Sequence, residues 1–191
     1  MLTLSIERFA SLTGVVIDNF EGGYYHPDMA KNMSAKDQAI LAKSGETMFG
    51  LDRMAGAQLA AYPEWSKFWN IVDGADARHN WKHYSMGGQF TAQLKELAGK
   101  IMYQWFSHLA AKYLKGDSIE KIAADDRLVI HFSYASWNGE GWFKNFADAL
   151  NAAKGTKEQI FQAALKARTG ASSLAIRNAG AKMMKLFTTM N

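Results

Sequence analysis

The carboxyl group of Glu21 occupies a position where local structure would change its chemistry. It ends a segment, 5–21, in which apolar residues recur at helical spacing, and it directly precedes Gly22-Gly23. A helix carboxyl end disfavours further negative charge, and packing beside Phe20 and Tyr24 would desolvate the group. A carboxyl that stays protonated near neutral pH can protonate a glycosidic oxygen. The alternative is an exposed glutamate that happens to end a helix.

A second set of polar residues lies in 44–50, where two glycines and Thr47 predict a tight turn or short hairpin. Glu46 and Asp28 are carboxylates that could act together with Glu21. Glu140 is a more distant candidate, for which a solvated turn residue is the alternative. An inverting glycosidase places its two carboxyls roughly 6.5–9.5 Å apart, and a retaining one roughly 5–5.5 Å apart. The sequence leaves the choice among the three open, and Asp52-Arg53 is interpreted as a local ion pair.

A third cluster, 133–143, combines aromatic residues with an amide at a predicted break between helices. Asn138 could bond sugar hydroxyls, and Trp137 could stack on a pyranose ring. The alternative is a helix–turn–helix corner in which the aromatic residues are structural anchors.

Metal and cofactor chemistry have little support in this sequence. His79 and His83 are four residues apart, with Asp76 before them, which is a metal-ligand spacing. Asn80 stands where the catalytic glutamate of an H-E-x-x-H helix would be. No cysteine is present, which excludes thiol catalysis and thiolate metal sites. Phosphate-binding glycine loops are also absent. We therefore expect neither a metal nor a cofactor.

The elements that must position these groups are almost all helical. Gly22-Gly23 is expected to end the first helix in a left-handed conformation. Helices are predicted over 5–21, 31–43, 54–61, 63–72, 88–114, 125–137, 143–153, 157–167 and 172–188. The expected fold is all-α, one domain over 1–191, with a small β-hairpin or irregular lobe at 24–50 and a helical lobe at 54–191.

Composition limits the classes of partner. The 191 residues carry a formal charge of +4, which favours anionic polymers, and 13% of them are aromatic. Lysines and arginines are scattered rather than clustered on a basic arm, so nucleic acid is not expected as a partner. No apolar stretch approaches the roughly 18 residues of a membrane span, and the first ten residues do not form a secretory signal.

Two motifs in order resemble a phage-type endolysin family. Phe20-Glu21-Gly22-Gly23-Tyr24 is followed by Ser44-Gly45-Glu46-Thr47-Met48-Phe49-Gly50-Leu51. Members of that family have a helix ending in E-G-G-Y and then a turn of the form G-G-x-T-x-F-G-I. The chain is also similar to soluble lytic transglycosylases, in which a helix-terminal glutamate precedes a Ser- and Gly-rich segment. Both groups belong to the lysozyme superfamily, and the close likeness is confined to 20–51.

The resemblance implies roles for particular residues. Glu21 would be the general acid and Thr47 would position the attacking water, although a β-propensity residue in a hairpin is the alternative for Thr47. Residues expected to contact the substrate are Tyr24, Ser44, Tyr134, Trp137 and Asn138, the last two matching loosely the A-Y-N-x-G segment of transglycosylases. The family's Asp before the turn is missing, since Lys43-Ser44 stands there, so a second carboxylate remains undefined.

The function that the resemblance implies is a lysozyme-like muramidase or endolysin that cleaves the β-1,4 glycan of peptidoglycan. One alternative is a lytic transglycosylase on the same fold, which needs no second carboxylate. Another is a non-catalytic virion structural or wall-binding protein. The expected partner is bacterial peptidoglycan, without stable membrane insertion, and the expected state is a monomer. Such a protein would be made in the host cytoplasm without a signal peptide and would reach the periplasmic wall by release or injection, free or carried in a virion.

Overall fold

The computed structural model describes residues 4–26, 34–35, 38–39, 42, 45–54, 57–74 and 90–190. Its helices are α1 (Ile6–Phe20), α2 (Ala57–Ala60), α3 (Pro63–Gly74), α4 (Thr91–Tyr113), α5 (Ser118–Ala123), α6 (Asp126–Trp137), α7 (Glu140–Ala152), α8 (Lys157–Thr169) and α9 (Leu174–Thr188). Its strands are β1 (Tyr24–Tyr25), β2 (Thr47–Met48) and β3 (Leu51–Asp52). The expectation of an all-α chain with a small hairpin after the first helix is confirmed.

Helix α1 lies between Ser5 and Glu21, the two ends of the predicted helical segment. The Ser5 hydroxyl accepts a hydrogen bond from the Arg8 amide at 3.2 Å, which caps the first turn. The expected left-handed glycine terminus is wrong, because neither Gly22 nor Gly23 has a positive φ. The helix ends instead because Glu21 itself turns into an extended conformation, with φ −108° and ψ 157°.

The long helix α4 provides the platform on which α1 and α3 pack. At 23 residues it is about 34 Å long. Gly99 lets α1 approach closely, since a Cβ there would lie 2.7 Å from the Cα of Ala10. On its other side α1 packs on α6, where the Thr13 and Ser133 hydroxyls share a buried hydrogen bond of 2.7 Å. Helix α1 is therefore held between α4 and α6.

The three strands form an antiparallel sheet in the order β1-β2-β3. Strands β2 and β3 are joined by a two-residue turn, Phe49-Gly50, with φ angles of 52° and 73°. Positive φ at both positions is the geometry of a type I′ hairpin turn, in which a bulky residue such as phenylalanine is strained. The Phe49 side chain is fully buried, so packing offsets that strain and fixes the turn.

The corner between α6 and α7 is tighter than expected. The Asp125 side chain caps α6 by accepting from the Arg127 amide at 3.0 Å. The break between the helices predicted at 125–137 and 143–153 is limited to Asn138-Gly139, and α7 starts at Glu140. Gly139 has φ +88°, which permits the abrupt change of direction.

The short helix α5 has no counterpart among the predicted segments, because six residues carry too little periodicity to recognise.

Most of the helix predicted at 31–43 lies outside the described residues, as do parts of those at 54–61 and 88–114. The buried apolar residues of the described elements, from Phe9 on α1 to Phe187 on α9, form one hydrophobic cluster that includes Met48 and Phe49 of the hairpin. The hairpin is thus packed onto the helices. Within the described ranges, no helix combines the length and the apolar character required to span a bilayer.

Candidate active site around Glu21

The Glu21 carboxyl lies between the hairpin turn and the end of α6. A Cβ added to Gly50 would lie 2.7 Å from the Glu21 carboxyl carbon and 2.7 Å from Nε1 of Trp137. The side chain is partly buried in this position. Across the described part of the chain, no hydrogen bond reaches the carboxyl oxygens, so nothing there compensates the loss of water around an ionised group.

Burial raises the pKa of Glu21 to about 8, with the negative charge of Asp52 as the second cause. Both causes act in the same direction, because each makes the carboxylate less favourable than the neutral acid. At neutral pH the group therefore carries a proton. The direction of this shift agrees with the one expected from the end of a predicted helix, and Asp52 adds a cause that was not anticipated.

Asp52 is the residue that sequence reasoning missed. It pairs directly with Thr47 across β2 and β3, and the Thr47 hydroxyl donates to Asp52 Oδ1 at 2.8 Å. A two-residue turn at 49–50 requires residue 48 to pair with 51 and residue 47 with 52. The hairpin register could therefore have identified Asp52 as the partner of Thr47. A carboxylate bonded to Thr47 thus lies close enough to Glu21 to raise the pKa of that group.

The expected Asp52–Arg53 ion pair is wrong. Arg53 instead binds Asp73 at the end of α3, with N–O distances of 2.6 and 2.7 Å, and forms a second ion pair with Glu46. Side chains alternate between the two faces along an extended chain, so Arg53 directly after β3 points away from Asp52. The guanidinium also lies 4.9 Å from the ring centre of Trp69, which fastens the hairpin to α3.

Glu46, a candidate second carboxylate, is held by three side chains. Besides Arg53, it accepts from the Tyr24 hydroxyl at 3.0 Å and lies 3.6 Å from Nε2 of His26. Tyr24, expected to contact the substrate, is only 5% exposed. These residues form a polar cluster that joins β1 to the hairpin, on the opposite face of the sheet from the Thr47–Asp52 pair.

Two of the aromatic residues from the third cluster flank Glu21. The Trp137 indole donates to the Phe49 carbonyl at 3.1 Å and so holds the hairpin turn against α6. Tyr134 stacks on Phe20, with ring centres 4.7 Å apart. Burial and the charge of Glu21 raise the pKa of Tyr134, so its hydroxyl keeps its proton. The structure therefore brings Trp137 and Tyr134, separated from Glu21 by more than 100 residues, to the same place.

The Asn138 side chain is half-buried and is bound by Arg168. Its side-chain oxygen accepts from NH1 of Arg168 at 2.7 Å. Sequence reasoning also missed Arg168, which no local pattern distinguishes from the other basic residues of its helix.

The remaining candidates are elsewhere or are not described. Glu140 accepts from Lys112 and from the Tyr113 hydroxyl, which ties it to α4. Ser44, Asp28 and the two histidines at metal-ligand spacing, His79 and His83, lie outside the described residues. In the ranges that are described, no three His, Cys, Asp or Glu side chains come together in a way that could hold a metal ion.

The arrangement has the parts of an acid-catalysed cleavage site. A protonated carboxyl can donate its proton to a leaving oxygen, and a nearby carboxylate can stabilise positive charge or orient a nucleophile through the threonine hydroxyl. Glu21, Asp52 and Thr47 provide these three groups. No family model, curated protein or solved structure matches this chain.

Proposed function

We propose that this chain is a peptidoglycan-degrading glycosidase in which Glu21 is the general acid. The observation that carries the proposal is the partly buried Glu21 carboxyl, whose pKa is raised to about 8 by burial and by Asp52. Cleavage of a glycosidic bond needs an acid that is still protonated at the working pH. The likeness of 20–24 and 44–51 to phage-type endolysins, within the lysozyme superfamily, supplies the substrate class.

Asp52 favours hydrolysis over the transglycosylase reaction. A hydrolase requires a second group that activates water or stabilises the oxocarbenium-like transition state, whereas a transglycosylase uses a hydroxyl of the substrate itself. The hydrogen bond from Thr47 to Asp52 fits a carboxylate and hydroxyl that hold one water together. Glu46 is less suited to that role, because Arg53 and Tyr24 already occupy its oxygens.

The substrate partner we propose is the glycan strand of bacterial wall, bound by a monomer. A net charge of +4 is compatible with attraction to an anionic wall polymer. The site of action would be the periplasmic wall, reached by release or injection from the cytoplasm where the chain is made. Neither nucleic acid nor stable membrane insertion forms part of the proposal.

The decisive experiment adds purified protein to isolated peptidoglycan and separates the released muropeptides. Glu21→Gln keeps the shape of the side chain but cannot donate a proton, so release should fall by about 10²–10⁴-fold. Glu7→Gln is the matched control, since Glu7 is an exposed glutamate in the first turn of the same helix. Full activity of Glu21→Gln would contradict the proposal.

The products distinguish the two enzymatic alternatives. Reducing ends identify a hydrolase, and 1,6-anhydro ends identify a lytic transglycosylase. If the wild-type protein sediments with peptidoglycan but releases nothing, the chain is a wall-binding or virion structural protein and the enzymatic proposal is wrong.

A further inference from the structure

Arg168 is a fully buried cation that the proposed mechanism does not use. It lies on α8, none of its side chain is exposed, and it forms no ion pair with an acidic side chain anywhere in the described ranges. Burying a guanidinium without a carboxylate costs folding free energy, because the lost hydration is not replaced by an opposite charge. The hydrogen bonds that the guanidinium donates show which parts of the fold this burial stabilises.

The planar guanidinium fork joins α8 to the end of α6. NH1 donates to the Asn138 side-chain oxygen at 2.7 Å, and NH2 donates to the His131 carbonyl at 3.3 Å. Nε faces Nδ1 of His131 at 3.4 Å, so that ring nitrogen acts as the acceptor. Burial lowers the pKa of His131, which keeps the ring neutral beside the cation. One arginine thus fixes His131 within α6 and Asn138 directly after its last residue.

One route from Arg168 to Glu21 runs through aromatic rings. The guanidinium carbon lies 4.9 Å from the ring centre of Tyr134. Tyr134 in turn stacks on Phe20, the residue before Glu21. The position of the tyrosine ring therefore limits where the end of α1 can lie.

A second route runs through the hairpin. Asn138 directly follows Trp137, whose indole holds the Phe49 carbonyl at 3.1 Å. That bond places Gly50 against the Glu21 carboxyl. Fixing the last turn of α6 therefore also fixes Gly50 and Trp137, which keep water from the Glu21 carboxyl.

We propose that Arg168 is a positioning residue for Glu21: its guanidinium holds the end of α6 so that Tyr134 and Trp137 enclose the acid. This inference rests on the proposed function and adds to it a residue that touches no substrate. The titratable groups that face Glu21 from the described elements are Asp52 on β3 and Tyr134 on α6. The proposal assigns this effect to packing and hydrogen-bond geometry rather than to the charge of Arg168.

The test uses Arg168→Met and Arg168→Lys in the full chain, with Lys166→Met as the matched control. Lys166 is exposed on the same helix. Met fills similar volume without charge, whereas Lys keeps the charge but lacks the planar fork. The measurements are thermal unfolding, kcat and KM for muropeptide release, and the pKa of Glu21 from the pH dependence of its carboxyl ¹³C signal.

Both Arg168 variants should remain folded and should admit water to Glu21. We expect the Glu21 pKa to fall by at least about one unit toward its ordinary value. We also expect kcat to fall by about tenfold or more while KM changes by less than about twofold, since the acid and not the substrate is displaced. The Lys166→Met variant should match the wild type in all of these measurements.

A Glu21 pKa that is unchanged or raised in Arg168→Met overturns the inference, and so does rescue by Arg168→Lys, which would assign the effect to charge. Loss of folding in both variants would assign Arg168 to the core alone and would equally overturn it. The ¹³C titration needs no turnover, so it decides the role of Arg168 even if the wild-type protein releases no muropeptides and the proposed function is wrong.

Discussion

The Glu21 carboxyl fills the space that a side chain on Gly50 would occupy. A Cβ at position 50 would lie 2.7 Å from the Glu21 carboxyl carbon, well inside van der Waals contact. Gly50 also has φ +73°, a backbone conformation that residues with a side chain rarely adopt. The turn that follows Thr47 is therefore shaped to receive the acid, which explains why a glycine is required there on two separate grounds.

Replacing Gly50 with alanine should abolish wall cleavage while the protein stays folded. The added methyl group would push the carboxyl and the Trp137 indole out of place, and a displacement of about 1 Å can cost about 10²-fold in rate. Gly116→Ala is the control, because Gly116 has φ +57° with open space around it. Gly116→Ala should lose about 1 kcal/mol of unfolding free energy and Gly50→Ala more, because only the latter adds close contacts. Muropeptide release should fall only for Gly50→Ala. Equal activity of the two would show that the close approach at Gly50 has no catalytic importance.

The stability of the protein should depend on the ionisation of Glu21. The pKa is about 8 in the folded protein against 4.5 for a free side chain, so stability from this group is fully present below pH 4.5 and is lost as pH rises to 8. Allowing for partial exposure, about 2 kcal/mol should be lost over that window. The difference in unfolding free energy between Glu21→Gln and wild type should grow in favour of the variant from pH 5 to pH 8, as measured by urea denaturation. A constant difference would contradict the raised pKa.

Removing the charge of Asp52 should lower the pKa of Glu21. Asp52→Asn retains an acceptor for the Thr47 hydroxyl but takes away the negative charge that disfavours the ionised acid. The Glu21 carboxyl should therefore titrate at a lower pH in a ¹³C experiment, while Asp73→Asn, which changes an exposed carboxylate bound to Arg53, should leave it near 8. Hydrolytic release should also fall strongly in Asp52→Asn. Retained release with 1,6-anhydro ends would favour the transglycosylase instead.

The hydrogen bond from Trp137 to Phe49 should matter for rate more than for folding. Trp137→Phe keeps an aromatic ring but leaves the Phe49 carbonyl without its donor, at a cost of about 1 kcal/mol in stability. Because the strained turn is then less firmly held against Glu21, kcat should fall by about tenfold. Trp142→Phe provides the comparison, since Trp142 stacks on Phe146 in α7, away from the hairpin. Similar activity in the two variants would remove the indole bond from the mechanism.

Local patterns in the sequence were sufficient for the elements that carry the site. Apolar spacing predicted α1 and its end at Glu21, and the glycines around Thr47 predicted a hairpin, because helix and turn formation depend on residues a few positions apart. The same reasoning failed at Gly22-Gly23, where a glycine pair does not adopt the left-handed conformation it permits. The residues at a helix end are compatible with several backbone conformations, and tertiary contacts determine which of them forms.

Only the tertiary structure decided which groups surround Glu21. Asp52 and Glu46 are both near Thr47 in sequence, but the hairpin register directs one toward Thr47 while Arg53 and Tyr24 engage the other. Tyr134, Trp137 and Arg168 come from helices more than 100 residues away. A pKa depends on desolvation and on nearby charge, and both are set by residues that packing brings together whatever their separation in the chain. The sequence by itself therefore determined where an acid could stand, and the packing of α1, α6, α8 and the hairpin decided that it is held protonated there.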